Sequence, residues 1–540
     1  APLSQTFAHF LALVINLAHK IIIIAHTPST TFSCPLLRQM SSVPSSSQNG
    51  FWRKPPVTVL SGFLGSGKTT LLKRIAENDA GHKIAVIVND VAALNIDASF
   101  VRRSGRKKAF DEASVIEMQN GCICCTLRTD LVKAIAELAT GRTGVQYDAI
   151  VVEASGVSEP AQIGEMFQIE FMNAAEDEES LRNARDKNAM AQVLNAMKGA
   201  SSLGEIVRLD TCITVVDCSA FNGDITTPED LRSRFDVREE NGERSVATLL
   251  AEQIEFADLI VLNKCDLVKR HETNAIESAV RALNPGAQIL RTEFSNVPLD
   301  LVLNTHRFDM KKVSNNAGWL RGLRENRVVE TREYGISSFV YRSTTPFHPN
   351  RLASFLERFC GVVNLDGINE RRVAYNENGF HNANSKFGHV LRSKGYIWLA
   401  GRDDMCGEWG HAGSNLSISC GGPWMGALPK NVWPEEGTPA REMLERDMSN
   451  ATILDRRQEL VFIGQRLNRC AIEAALEKCL VTRKESLKTT NRRMDEWKLG
   501  FSGSLELADN PFPVWPTLDN VDFDVDTGHQ HDHDHHHGHH

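Results

Sequence analysis

From Pro55 onward, short Val- and Ile-rich runs recur between stretches whose apolar positions fall three and four residues apart. PVTVLSG precedes a helical pattern from about Lys68. KIAVIVND, SVIEMQNG with a helix through DLVKAIAEL, DAIVVEASG, DTCITVVD and ADLIVLNKCD then follow. This alternation predicts an α/β fold, a mostly parallel sheet with flanking helices. A charged, Ala-rich stretch from about Ala174 to Gly204 interrupts it and predicts a solvated surface helix or mobile loop.

After about Asn304 the pattern changes. EYGISSFVYRSTTPFHP, SKGYIWLAG and RRQELVFIG are strand-like runs parted by Gly- and Pro-containing turns, with helical patterns at RLASFLERF and RCAIEAALEKCL. A smaller α+β domain is expected there. From Phe501 the chain turns acidic and ends in HQHDHDHHHGHH, a composition that cannot bury a core and predicts a disordered tail. The expected organisation is a disordered or targeting leader over 1–54 and a nucleotide domain over 55–310 carrying the 174–204 insertion. A linker over 311–332, a C-terminal domain over 333–500 and a tail over 501–540 complete it.

Composition changes this picture little. With 540 residues, 42% hydrophobic and 24% charged, the chain has room for two soluble domains, and a net charge of -8 gives no electrostatic reason to expect nucleic acid. The longest apolar candidate, Phe10 to Ala25, is interrupted by Asn16, His19 and Lys20 and falls short of the roughly twenty residues a bilayer needs, so no membrane role is expected. Residues 1–50 lack Asp and Glu and are rich in Ser and Thr, which suits an organelle transit peptide, yet they carry one Lys and one Arg. Met40 shortly before the first strand leaves open that the leader is upstream sequence. Twelve cysteines are far below disulfide-scaffold density and predict a reducing compartment, the cytoplasm or an organelle if the leader is used.

GFLGSGKT, Gly62 to Thr69, fits G-x-x-x-x-G-K-[ST] after a strand and at the start of a helix. Gly62, Gly65, Ser66 and Gly67, continuing to Thr70, form the candidate cradle whose backbone N–H groups wrap phosphates. Lys68 supplies a cation to the β and γ groups, and the Thr69 hydroxyl can ligate Mg²⁺. Asn263-Lys264-Cys265-Asp266 ends a late strand, where Asp266 can accept from the ring N–H and exocyclic amine of guanine. Between them, Glu153-x-x-Gly156 ends another strand: the carboxylate can hold Mg²⁺ through water or orient the attacking water, and the Gly156 N–H can sense a γ-phosphate. No Gln stands beside Gly156 to position water, so slow intrinsic hydrolysis is expected.

Cys122, Cys124 and Cys125 lie in a strand-to-helix loop at the expected phosphate edge of the sheet. Three thiolates suit Zn²⁺ or Cu⁺, and the want of an obvious fourth ligand suits an exchangeable site better than a closed structural one. A packing cluster or redox pair is the bland alternative. His529, His531, His533, His535, His536, His537, His539 and His540, interleaved with Asp532 and Asp534, form a candidate chelating string. His348, His389 and His411 are weaker metal candidates, since a lone histidine is more often structural.

GFLGSGKTT, GCICCTLRTDL, EASGVSEP and NKCDL, in this order, resemble the CobW-like family of P-loop GTPases, metallochaperones and metal-insertion factors. The likeness extends over about Pro55 to Lys484 and is nearer to the zinc-homeostasis subgroup than to the cobalamin-synthesis branch. It implies Lys68 and Thr69 for phosphate and Mg²⁺, Glu153 as the Walker B-like carboxylate, Asn263 and Asp266 for the base, and the three cysteines for metal. Many members have Asn-Glu where this chain has Asn89-Asp90, which leaves the role of Asp90 open. The expected function is a Mg²⁺-dependent GTPase that loads a transition metal, foremost zinc, and delivers it to an apo-metalloprotein client, with a nucleotide-dependent homodimer as a further candidate arrangement. The alternatives are a metal buffer with vestigial hydrolysis and a cobalt or iron insertion factor.

Overall fold

The structure, a computed structural model, describes residues 54–77, 81–88, 115–117, 125–142, 144–158, 160–167, 184–235, 243–309, 335–366, 371–373, 384–448, 453–482, 485, 510–516 and 518. Residues 1–53 of the expected leader over 1–54, the expected linker, Asp90, Cys122, Cys124 and the tail histidines lie outside them. The tail expected to be disordered over 501–540 is corrected at 510–516, where Phe512 and Trp515 are buried because these two aromatics join the apolar core of the C-terminal domain. Of Cys125 only the backbone is described.

Seven strands form the first sheet: β1 Pro56–Ser61, β2 Ile84–Val88, β3 Val115–Glu117, β4 Ala149–Glu153, β5 Arg208–Asp217, β6 Leu259–Asn263 and β7 Gln288–Arg291. Their order is β3-β2-β4-β1-β5-β6-β7, and every pairing is parallel. Helices cover both faces, so β1, β2, β4 and β6 are buried along their whole length and appear in sequence as unbroken apolar runs. Central β1 lies between β4 and β5, so the loop leaving it opens at the carboxyl edge of the sheet, where ligands of such folds bind.

The helices that position the site are α1 Lys68–Ala76, α2 Cys125–Ala139, α3 Pro160–Met166, α4 Ala184–Met197, α5 Phe221–Thr226, α6 Val246–Phe256 and α7 Arg270–Leu283. Leu71, Leu72 and Ile75 of α1 are buried against the sheet, each contributing about 1.5–3 kcal/mol. That apolar face anchors the helix behind the phosphate loop. The described part of the 174–204 stretch, residues 184–204, contains a helix, one of the two expected alternatives, but not a fully solvated one. Its helix α4 buries Val193, Ala196 and Met197 in the same core cluster as Leu131, Ile135 and Leu138 of α2. Three apolar residues at i, i+3 and i+4 make a packing stripe despite the charged remainder.

The second sheet comprises β8 Ile336–Ser343, β9 Val362–Leu365, β10 Arg371–Val373, β11 His389–Ile397, β12 Met405–Ala412, β13 Asn415–Pro423 and β14 Gln458–Gln465, in the order β10-β9-β13-β12-β11-β14-β8. Only β9 and β13 pair in parallel. Helices α8 Pro349–Phe359 and α9 Arg469–Glu477 cover one face through Leu352, Leu356, Ile472 and Leu476. The other face meets the first domain: Ile336, Leu391, Ala412, Val461 and Ile463 share one core cluster with Leu250 and Ile254 of α6 and Ile276 and Val280 of α7. The Asn415 side chain donates to the Thr227 carbonyl at 2.8 Å across the same boundary. No helix among the described residues is long and apolar enough to cross a membrane.

Candidate nucleotide-binding site

The turn after β1 needs its glycines. Gly62 has φ of 131° and Gly67 φ of 111°, in the left-handed region. A β-carbon on Gly62 would overlap the Val215 carbonyl, and one on Gly67 would overlap the Asn263 amide and stand 2.8 Å from Ser295 Oγ. Gly65, with φ of 76°, faces open space, as a phosphate cradle requires. Ser66 is buried, and its Oγ meets no hydrogen-bond partner among the described residues, which suits a site completed by ligand oxygens. Buried Lys68 donates from Nζ to the Phe63 carbonyl at 2.9 Å and so stands inside the loop. Thr70 sits exposed in the first turn of α1.

Thr69 and Glu153 meet across 84 residues of sequence, Oγ1 donating to Oε1 at 3.4 Å. Glu153 is fully buried at the end of β4 and is the register partner of Leu60 on β1. A hydroxyl beside a buried carboxylate is a hard oxygen pair, and it fits Mg²⁺, which would neutralise phosphate charge there. Gly156 packs on the phosphate loop so closely that a β-carbon would come within 2.7 Å of the Leu64 nitrogen.

Buried Asn263 is a brace for the base loop. Its Nδ2 donates to the Ser66 carbonyl at 2.9 Å, while its Oδ1 accepts from the Ser295 N–H at 2.8 Å and the Thr292 hydroxyl at 3.2 Å. Ser295 closes the circuit by donating from Oγ to the Gly67 carbonyl at 2.9 Å. Phosphate loop, base motif and the 292–296 loop are thus one hydrogen-bonded unit. Lys264, at φ of 59°, donates to Asp217 Oδ2 at 2.6 Å. Burial alone would raise the Asp217 carboxyl, but bonds from Lys264 and Ser219 outweigh it and hold the carboxyl below the usual range. This pair leaves Asp266 exposed at the rim, beside exposed Leu267.

Motif spacing does not pick out Asp217, Ser295 or Thr292. Asp217 had a signal, as the acidic end of DTCITVVD at the same sheet edge; the two hydroxyls had none. Another unforeseen group is Gln253 of α6, which donates to the Gly156 and Ser158 carbonyls at 3.3 and 3.2 Å. The weaker histidine candidates are not gathered into a metal site, since no group of three or more potential ligands occurs among the described residues. His411 is buried, and burial followed by the Arg392 charge lowers it to about 3, so it is neutral. Burial likewise lowers His389 and His348.

A family model described as the CobW/HypB/UreG nucleotide-binding domain matches residues 56–202 and 188–291, and one described as the cobalamin synthesis protein CobW C-terminal domain matches 336–480. The chain is 38% identical to zinc-regulated GTPase metalloprotein activator 1 of Dictyostelium discoideum over 81% of this chain and 82% of that protein. It is 30% identical to a zinc chaperone CobW of Pseudomonas aeruginosa over 46% of this chain and 60% of that protein. Among solved structures, Zn(II)-bound YjiA GTPase from E. coli matches 79% of this chain and 100% of its own at 18% identity and a TM-score of 0.29. Both domains and the GTP-binding elements agree, and the chain belongs to the CobW family of P-loop GTPases.

Proposed function

We propose that this GTPase is a metallochaperone that binds a transition metal, foremost Zn²⁺, at Cys122, Cys124 and Cys125, and releases it to an apo-metalloprotein client as GTP is hydrolysed. The support is a register row across the parallel sheet: Glu117 of β3, Val88 of β2, Glu153 of β4 and Leu60 of β1 are successive partners. With strands about 4.8 Å apart, the end of β3 stands about 10 Å from Glu153. Cys122 follows Glu117 by five residues, a reach of at most about 18 Å, and Cys125 opens α2. In sequence the thiols thus fall between β3, two strands from Glu153 in the sheet, and the start of α2. Relatives named for zinc point to the same cargo.

In this scheme Lys68 and the loop N–H groups bind the phosphates, Asn263 and Asp266 select guanine, and Thr69 with Glu153 would hold Mg²⁺. Glu153 also orients the attacking water. A γ-phosphate that draws in Gly156 and its neighbours changes the setting of the loops on the same edge, including the thiols. The tail histidines add metal-binding capacity. The test is release: Zn²⁺-loaded protein mixed with GTP and a chromophoric chelator should surrender zinc in step with phosphate. Release at one rate with GTP, GDP or no nucleotide would leave a metal buffer as the better account.

A further inference from the structure

Helix α6 faces the nucleotide sensor on one side and the C-terminal domain on another. Gln253, fully buried, donates from Nε2 to the carbonyls of Gly156 and Ser158, the segment that leaves Glu153. Its own carbonyl accepts from Thr214 Oγ1 at 2.6 Å, which ties the helix to β5. Its Oε1 is buried and finds no donor among the described residues. Glu252 and Glu255 are three residues apart, so they share a helix face from which 253 is rotated away. That face receives Arg392 of β11, which is 2% exposed. Arg392 Nε donates to Glu255 Oε1 at 2.8 Å and Nη2 to Oε2 at 3.3 Å, with Glu252 4.0 Å from Nη2. Nη1 reaches the His411 carbonyl at 3.4 Å, and Glu252 is held in turn by Arg244.

We propose that Gln253 is a positioning residue for the Gly156–Ser158 segment during GTP hydrolysis, and that α6, clamped by Arg392, couples that segment to the C-terminal domain. The physical ground is that neither contact can slacken cheaply. Gly156 is packed on Leu64 of the phosphate loop, so a ligand that moves one moves the other. The bond from Gln253 to the Gly156 carbonyl lies out of water, where a lost partner is not replaced by solvent. Val246, Ala247, Leu249, Leu250, Ala251 and Ile254 are buried, and a close-packed helix shifts as a body. A bidentate pair to buried Arg392 then carries that shift into β11. Two arrangements of the segment, with and without γ-phosphate, become two settings of the C-terminal sheet. This inference rests on the GTPase activity and not on the metal cargo, so it stands or falls apart from the zinc proposal.

The first test needs no variant. Amide hydrogen exchange across β11 in the full chain should differ between a non-hydrolysable GTP analogue and GDP, and Gln253→Met should erase that difference. Single-turnover hydrolysis by Gln253→Met should fall roughly tenfold or more while GDP affinity stays within about twofold, a split that a merely structural residue would not give. Gln253→Glu, which sets a carboxylate against two carbonyls, should be at least as slow. Arg392→Lys keeps the charge and loses the fork, and should lower the ratio of analogue to GDP affinity by about threefold. Its effect should be smaller when Gln253→Met is already present, because one path serves both. Equal exchange of β11 in both nucleotide states of the unmodified protein would overturn the coupling. Equal losses of GTP and GDP binding in Gln253→Met would overturn the positioning role.

Discussion

The Thr69 hydroxyl lies 3.4 Å from the fully buried carboxylate of Glu153, a residue that sequence separates from it by 84 positions and the sheet sets beside it. The pairing of β1 with β4 places Glu153 next to the strand that carries the phosphate loop. Glu153→Gln keeps the shape and removes the charge. Single-turnover hydrolysis should fall by about a hundredfold or more, with GTP-analogue binding reduced far less. Turnover within a fewfold of the unmodified protein would remove Glu153 from the chemistry.

The base loop makes a second expectation. Asp266 can accept two hydrogen bonds from guanine, whereas an Asn there offers one acceptor and one donor. Asp266→Asn should weaken GTP by roughly 1.5–3 kcal/mol, about ten- to a hundredfold, and favour XTP, whose C2 oxygen accepts from the new amide. Competition binding with the two nucleotides reads both effects. The Lys264–Asp217 pair adds a pH limit. A carboxyl held below its usual range stabilises the fold above the unfolded-state value and loses that contribution as pH falls through the lower folded-state value. Asp217→Asn should therefore weaken GTP near neutral pH while losing the acid sensitivity of the loop.

Much of this site was legible because its parts are local. Glycines before a lysine and Asn-Lys-x-Asp after a strand stand out as candidates by spacing, and the apolar runs reveal strands buried on both faces. Asn263, Ser295 and Gly67 form a circuit that only the folded chain assembles, from segments 196 and 228 residues away from Gly67. Gln253 is equally silent in sequence, one of several polar residues of its helix, and its purpose depends on a carbonyl 97 residues earlier. Charge misled at α4, because composition averages over a helix and packing needs only one stripe.

That stripe can be tested by stability. Met197 is 1% exposed, so Met197→Ala should cost about 2–5 kcal/mol, read from denaturant midpoints at an unchanged slope. A change within about 0.5 kcal/mol would return the segment to the surface.

His411 sets an acid signature of the C-terminal domain. Burial first, then the charge of Arg392 and that of His389, lower it from 6.5 to about 3, so the folded state prefers it neutral. Its contribution is complete above pH 6.5 and is lost progressively as pH falls toward about 3, because the unfolded chain takes up the proton first. At about 1.4 kcal/mol per pH unit this amounts to a few kcal/mol across the window. His411→Asn should flatten the fall of unfolding free energy with acid, leaving the weaker contribution of His389. An unchanged slope would mean that His411 is not the group responsible.

The central claim is that metal at Cys122, Cys124 and Cys125 and nucleotide at Lys68 and Thr69 share one coupling free energy, which linkage makes reciprocal. The most direct measurement is a Zn²⁺ titration of the full chain against a competing chelator, once with a non-hydrolysable GTP analogue and once with GDP. Tighter zinc with the analogue by roughly 5- to 150-fold is expected, the usual span of such couplings. Cys124→Ser with Cys125→Ser should abolish the tight site and the difference together while GTP still binds. Equal zinc affinity in the two nucleotide states would contradict a GTP-gated chaperone.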